Sequence, residues 1–204
     1  MKRLFLTATL MVAMLSVFAQ EKVGSWSIQP KLGFNIATMT DSDDADSRFG
    51  LVVGAEGGYQ LSKRIALTAG LLYSQQGVKE SMSGVTSTIK MDYLNVPILA
   101  NVYVVKGLAL KAGLQPGFLI NDKVEVKTGG ITAEVGLEES FRASGIDADV
   151  KSLVLSIPVG ASYEYRNFVV DARYVIGLSK ALSAGSESTK HNMFQFTVGY
   201  KFSL

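Results

Sequence analysis

Few residues in this chain have the chemistry to act on another molecule. His191 is the single histidine, and Ser186, Glu187 and Ser188 lie just before it. Hydroxyl, imidazole and carboxylate are the parts of a nucleophilic triad. Working triads, however, draw their members from separate segments, because neighbours in one loop do not aim at one another in the required order. His191 is therefore expected to be a solvated loop residue, and the chain is expected not to be an enzyme, with no catalytic residue. A rim enzyme acting on lipid is the alternative, and loss of lipid hydrolysis in His191→Ala would establish it.

The run Asp41-Ser42-Asp43-Asp44-Ala45-Asp46 is the densest acidic cluster. Carboxylates at this density can hold Ca²⁺, and here they would bridge lipopolysaccharide phosphates. The run does not fit a helix-flanked calcium loop, since the sixth position is Asp46 rather than Gly and the twelfth is Val52 rather than Glu. A solvated acidic loop is expected, and no metal site. The absence of Cys removes thiolate catalysis, thiolate metal sites and disulfides. No phosphate-cradling Gly loop, zinc spacing or dinucleotide fingerprint occurs, so no cofactor is expected. The net charge of +2 gives no footprint for nucleic acid.

A third set of charges is scattered through apolar segments: Lys31, Glu56, Lys111, Glu164, Asp171, Arg173 and Lys201. Their meaning depends on the elements that carry them. The dominant pattern along the chain has period two, the signature of strands with unlike faces. Near the end, Phe194, Phe196, Val198, Tyr200, Phe202 and Leu204 alternate with Gln195, Thr197, Gly199, Lys201 and Ser203. Before that, Phe168, Val170, Ala172, Tyr174 and Ile176 alternate with Asp171, Arg173 and Gly177. Strands are predicted near Trp26–Thr38, Phe49–Leu61, Ile65–Gly77, Thr88–Val105, Leu108–Ile120, Leu153–Tyr165, from Phe168, and to the end of the chain. The total is about eight, an even number as outer-membrane barrels have.

The connections alternate in length. Ser62-Lys63-Arg64, Lys106-Gly107 and Arg166-Asn167 are tight, whereas Met39–Arg48, Val78–Ser87, Asn121–Lys151 and Ser179–Asn192 are long. Short turns on one rim and long loops on the other describe a transmembrane barrel, with the short turns periplasmic. The polar faces are rich in Gly, Ser, Thr and Gln rather than Lys and Glu, unlike a watered surface. Aromatics collect at both strand ends: Trp26, Tyr59, Tyr163, Tyr165, Phe168, Tyr200 and Phe202 at the short-turn rim, and Phe34, Phe49, Tyr73, Phe118, Tyr174 and Phe194 at the other. Strands of about 10–13 residues suffice to cross a bilayer when tilted. The expected fold is an all-β, eight-stranded antiparallel up-and-down transmembrane barrel in the bacterial outer membrane. A soluble periplasmic lipocalin-like barrel, with the apolar face inside, is the alternative.

Lys2 and Arg3 followed by the apolar run Leu4–Phe18, with Val17 and Ala19 before a cut, predict a signal peptide over residues 1–19, leaving a barrel domain over 20–204. With the apolar faces on lipid, the scattered charges line a lumen that eight strands make just wide enough for side chains to fill. Charges in so narrow a space must pair, so a packed ionic plug is expected, with Glu164, Asp171 and Arg173 near one another. A narrow porin-like channel is the alternative. Pro97 and Pro158 fall within strands and predict bulges or bends. The link Asn121–Lys151 shows alternation at Lys123–Lys127 and Thr132–Leu137, which suggests a hairpin beyond the membrane and a place for recognition outside the cell.

The strand Tyr93-Leu94-Asn95-Val96-Pro97, the strand Leu110-Lys111-Ala112-Gly113-Leu114-Gln115-Pro116-Gly117, the ending Val198-Gly199-Tyr200-Lys201-Phe202 and the Ala19-Gln20 junction together resemble the PorT-like outer-membrane β-barrel family. The resemblance covers essentially the whole chain after the leader and implies a barrel of the Bacteroidetes type. The secretion role behind the family's name is not carried over, because no residue set here matches it. The expected function is structural or surface-interacting. The expected partners are outer-membrane lipid and lipopolysaccharide, with an extracellular or periplasmic protein, and the barrel is expected to be monomeric.

Overall fold

In the computed structural model, described over residues 22–39, 46–82, 85–128, 131–136, 148–150, 152–179, 182–184, 187–189 and 191–204, the alternating segments are strands. In chain order they are β1 (Trp26–Met39), β2 (Asp46–Gln60), β3 (Ile65–Met82), β4 (Val85–Asn95), β5 (Ile98–Val105), β6 (Leu108–Thr128), β7 (Ile131–Gly136), β8 (Ala148–Val150), β9 (Leu153–Tyr165), β10 (Phe168–Gly177), β11 (Leu182–Ala184), β12 (Glu187–Thr189), β13 (His191–Tyr200) and β14 (Phe202–Ser203). Each wall strand pairs antiparallel with its neighbours. The last returns to the first, from Lys31↔Gly199 to Met39↔His191. Since β4 and β5 share one place in the wall and β13 and β14 another, the closed barrel has eight staves. Closure leaves no sheet edge unpaired in the wall.

The predicted single strand from Thr88 to Val105 is two strands, parted at Val96-Pro97. Proline has no N–H for the ladder, and the chain is stitched by other groups there. Gly70 N–H donates to the Pro97 carbonyl at 3.1 Å, and Val96 N–H donates to the Pro116 carbonyl at 2.8 Å. The register is kept across the break, with Leu72↔Asn95 on one side and Ala69↔Ile98 on the other. At Pro158 the ladder to β6 lapses between Ala112↔Val159 and Gln115↔Ser156, again without a shift. Neither proline makes the expected bulge. One bulge lies where Asp92 pairs with Asn121 and Tyr93 with Leu119, so that Ile120 is the extra residue, and the register also shifts between Ser47 and Val52 on β2 and between Tyr103 and Val105 on β5.

Burial fixes which face looks out. On β10, Val170 is 55% exposed and the next residue, Asp171, 1%. The same inversion runs round the wall: Leu32, Leu51, Val53, Leu71, Leu110, Val159 and Val198 are exposed, while Asn35, Glu56, Gln115 and Gln195 are buried. A continuous exposed apolar surface over a polar interior is the reverse of a soluble barrel, and hydrocarbon is the solvent that it suits. The soluble lipocalin-like alternative is thereby corrected.

Aromatic rings pack along both ends of this belt. Trp26 meets Tyr59 at 4.8 Å between centroids, Phe168 meets Tyr200 at 5.2 Å and Tyr200 meets Phe202 at 4.7 Å at the short-turn end. At the other end Phe34 lies 5.5 Å from Phe196, and Tyr174 lies 4.7 Å from Phe194. On that side β6 runs on and folds back through β7, pairing from Lys123↔Gly136 to Thr128↔Ile131. The short strands β8, β11 and β12 form a separate three-stranded sheet. Residues 1–21, where a signal peptide is expected, the acids Asp41, Asp43 and Asp44, and Ser186 lie outside the described residues, as do the side chains of Asp46, Glu187, Ser188 and His191.

Candidate functional site

The period of a strand puts residues i and i+2 on one face, so Asp171 and Arg173 on β10 both point into the barrel. The guanidinium folds back along its own strand: Nε donates to Asp171 Oδ1 at 2.6 Å and Nη2 to Oδ2 at 2.8 Å. It also reaches β2, where Nη2 donates to Glu56 Oε2 at 3.0 Å and Nη1 lies 2.7 Å from Oε1. A planar fork that can serve two carboxylates at once is the property that distinguishes Arg from Lys.

Two lysines complete the cluster. Lys31 Nζ on β1 donates to Glu56 Oε2 at 2.8 Å and lies 3.8 Å from Asp171 Oδ2. Lys111 Nζ on β6 donates to Asp171 Oδ2 at 2.6 Å. In the wall order, β10 is separated from β1 by β13 and from β6 by β9, and β2 lies beyond β1. Bonds that skip intervening staves cross the lumen. The five side chains therefore form a bar through the barrel, with whole-residue exposures of 1–6%. Isolated charges would not survive such burial, and here each is held by an opposite charge. Three cations face two carboxylates, so the bar carries a surplus positive charge.

Glycines make room for it. Lys31 stands opposite Gly54 and Gly199, Arg173 opposite Gly160, and Glu56 opposite Gly70. A Cβ on Gly70 would lie 2.6 Å from Glu56 Cγ, and one on Gly160 would lie 2.2 Å from the Ala172 carbonyl oxygen. The wall is thin where the charged side chains are long.

The expected charge set is thus brought together in two groups. Lys31, Glu56, Lys111, Asp171 and Arg173 share the bar. Glu164 is not beside Asp171 and Arg173 as expected; it accepts from Lys201 Nζ at 3.0 Å, nearer the short-turn mouth. The cause is register, since Glu164 stands opposite Val169, one inward step below Asp171. Between this pair and the bar lies a polar cup lined by Ser27, Gln29, Gln60, Thr68, Asn101 and Ser162, with a cavity of about 30 Å³, room for about two waters.

Towards the long loops the interior changes character, which the alternation did not reveal. Asn35 Nδ2 donates to Ser74 Oγ at 2.7 Å, across β2. Beyond this bond Met91, Tyr93 and Val124 are buried together, as are Val175 and Met193. The extra residue at the bulge changes the phase of β6, so that even-numbered Val124 turns inward. Lys90 on β4 pairs with Glu125 on β6 near the same end. Among the described residues no group of three or more His, Cys, Asp or Glu side chains gathers to hold a metal. The His191 backbone pairs with Met39 at the long-loop rim.

A family profile described as outer membrane protein beta-barrel domain matches residues 18–183. Comparison with curated sequences finds no match. Among solved structures, the Ail attachment invasion locus protein of Yersinia pestis, crystallised with the heparin analogue sucrose octasulfate, is similar at 14% identity and TM-score 0.50, covering 89% of this chain and 100% of that one. Neisserial surface protein A is similar at 13% identity and TM-score 0.49, covering 87% and 97%. OprG of Pseudomonas aeruginosa is similar at 13% identity and TM-score 0.47, covering 89% and 97%. At these identities the likeness concerns the fold.

Proposed function

The chain belongs to the family of outer membrane protein beta-barrel domains and is an integral protein of the bacterial outer membrane, and from that premise we propose that it is a closed, non-enzymatic anchor that holds its long-loop side at the cell surface for contact with a partner. The observation that carries this reading is the bar of Lys31, Glu56, Arg173, Asp171 and Lys111 across the lumen. A channel needs a continuous watered path, and this barrel has salt bridges across its middle and two apolar clusters beyond them. Opening it would mean breaking several buried ion pairs, each costing about 3–5 kcal/mol when one partner is lost.

With the lumen filled, the elements left to act are outside it: the β6–β7 hairpin and the sheet of β8, β11 and β12. Loops on a rigid scaffold are where recognition residues concentrate. The partner class that suits them is an extracellular protein, with lipopolysaccharide around the belt. The polyanion bound by the Yersinia barrel is a poor guide here, because the long links of this chain hold more Asp and Glu than Lys and Arg. The reading includes a monomer, an export signal over residues 1–19, and a PorT-like place within the family.

Two measurements test it. Purified wild-type protein in planar bilayers is expected to show no stable conductance steps; sizeable steady channels would replace the anchor with a porin. A pull-down from intact outer membranes is expected to capture a partner that disappears when residues 129–147 are deleted. Capture that persists without them would remove the loop from the recognition surface.

A further inference from the structure

The acidic residues of this chain gather at one rim, while Lys and Arg occur at both. Most of its Asp and Glu fall in the long links, whereas the short-turn side carries Lys22, Lys63, Arg64, Lys106 and Arg166, all exposed. Among the described residues no acidic side chain occurs in these turns; Glu164, the nearest, points into the barrel and is paired with Lys201.

The turns form one ring. Gly24 N–H donates to the Gln60 carbonyl at 2.8 Å, Tyr103 N–H to the Arg64 carbonyl at 2.8 Å, Glu164 N–H to the Gly107 carbonyl at 2.8 Å, and Lys201 N–H to the Asn167 carbonyl at 2.7 Å. Ser62 Oγ accepts from the N–H groups of Arg64 and Ile65 at 3.3 and 3.1 Å and fixes its own turn. Arg166 holds φ at 56°, the one described non-glycine residue with positive φ. That conformation favours Gly or Asn, so a cation stands where the backbone alone would select a smaller residue.

Height on the wall decides what this collar faces. Trp26, Tyr59, Tyr165, Phe168 and Tyr200 form the aromatic belt immediately above it, and the Arg166 guanidinium lies 5.7 Å from the Tyr165 ring centroid. Such belts sit at the level of lipid headgroups. Arg166 follows Tyr165 directly, and Lys63, Arg64 and Lys106 stand in the neighbouring turns on the water side of the belt, at the depth of the phosphates.

We infer that the short-turn rim is a binding collar for anionic glycerophospholipid headgroups, in which Lys63, Arg64, Lys106 and Arg166 hold the phosphates of the periplasmic leaflet. The inference rests on the outer-membrane reading with the short turns periplasmic, but not on what the lumen or loops do. The collar draws anionic lipid to one rim, and it sets the rotation and depth of the barrel from below while the loops remain free above.

The test is lipid retention by the full-length barrel, read by native mass spectrometry after extraction from equimolar phosphatidylglycerol and phosphatidylcholine. Wild type is expected to keep phosphatidylglycerol in several-fold excess. The variant Lys63→Gln, Arg64→Gln, Lys106→Gln, Arg166→Asn is expected to bring the ratio to parity, each cation contributing up to about fivefold at an anionic surface, with the excess falling as salt rises. Heat-shifted gel migration reports folding of each variant; if the fourfold variant misfolds, Arg64→Gln and Arg166→Asn singly carry the test. Equal retention of both lipids by wild type, or an unchanged preference in folded variants, overturns the collar. So does collar-dependent sedimentation with cell-wall sacculi at unchanged lipid ratio, which would assign the rim to peptidoglycan. Conductance of the same preparations reports separately on the filled lumen.

Discussion

Arg173 is where the interior is most exposed to a single change. Its guanidinium joins two buried carboxylates on two strands, so Arg173→Ala strips both of their guanidinium contacts and leaves each with one hydrogen-bonded lysine, Glu56 with Lys31 and Asp171 with Lys111. The expected loss is about 3–5 kcal/mol, read from urea titration of protein folded in lipid vesicles. Lys201→Gln is expected to lose less, about 1.5 kcal/mol, because the Lys201–Glu164 pair lies near the mouth with side chains 10% and 20% exposed. Equal losses in the two variants would mean that the central bar is not dehydrated. The charged set was legible in the sequence because each member stands in phase with the polar face of an otherwise apolar strand. Who pairs with whom was not legible, since the partners lie on staves that are not neighbours. Glu164 is close to Asp171 and Arg173 in sequence, and yet its partner is Lys201. Asn35 and Ser74, an inward pair bridging β1 and β3, carry no signal in the sequence that marks them as partners.

The strands show why the wall can be both narrow and charged. Gly33 lies where a Cβ would stand 1.9 Å from the Phe196 carbonyl oxygen, a contact with backbone that no rotamer relieves, whereas at exposed Gly57 the nearest atom is 3.8 Å away. Gly33→Ala is therefore expected to destabilise the barrel by about 1–3 kcal/mol through overpacking, and Gly57→Ala to be neutral or stabilising by up to about 1 kcal/mol. Fraction folded by heat-shifted migration, followed through a urea series, separates the two. A tolerated Gly33→Ala would mean that the staves are further apart than drawn. Period two made the strands themselves readable, most clearly in β10 and β13. It failed where phase or length breaks. Ile120 looks like any other apolar strand residue, so nothing announced a bulge there, and the inward Val124 and Met91 could not be placed. The three-residue strands β8, β11 and β12 are too short to carry a period.

For the molecule as a whole, the polar bar, the apolar clusters above it and the paired wall place the stabilising contacts within the barrel, and the loop elements outside them. Deleting residues 129–147 is expected to shift the urea midpoint only slightly and to leave the barrel folded; unfolding of that variant would make the loop part of the core. All of this depends on the exposed apolar stripes facing hydrocarbon. The chain has no Cys, so single cysteines can be introduced at Val53, Leu71, Leu110, Val159, Val170 and Val198, spin-labelled, and examined in lipid vesicles for collision with oxygen and with a polar nickel chelate. Frequent oxygen contact and rare nickel contact at every position is the predicted result, with oxygen contact rising towards the middle of the bilayer. Labels shielded from both reagents would mean that these side chains pack in the protein's own interior, and a lipid-facing barrel with a charged lumen would be contradicted.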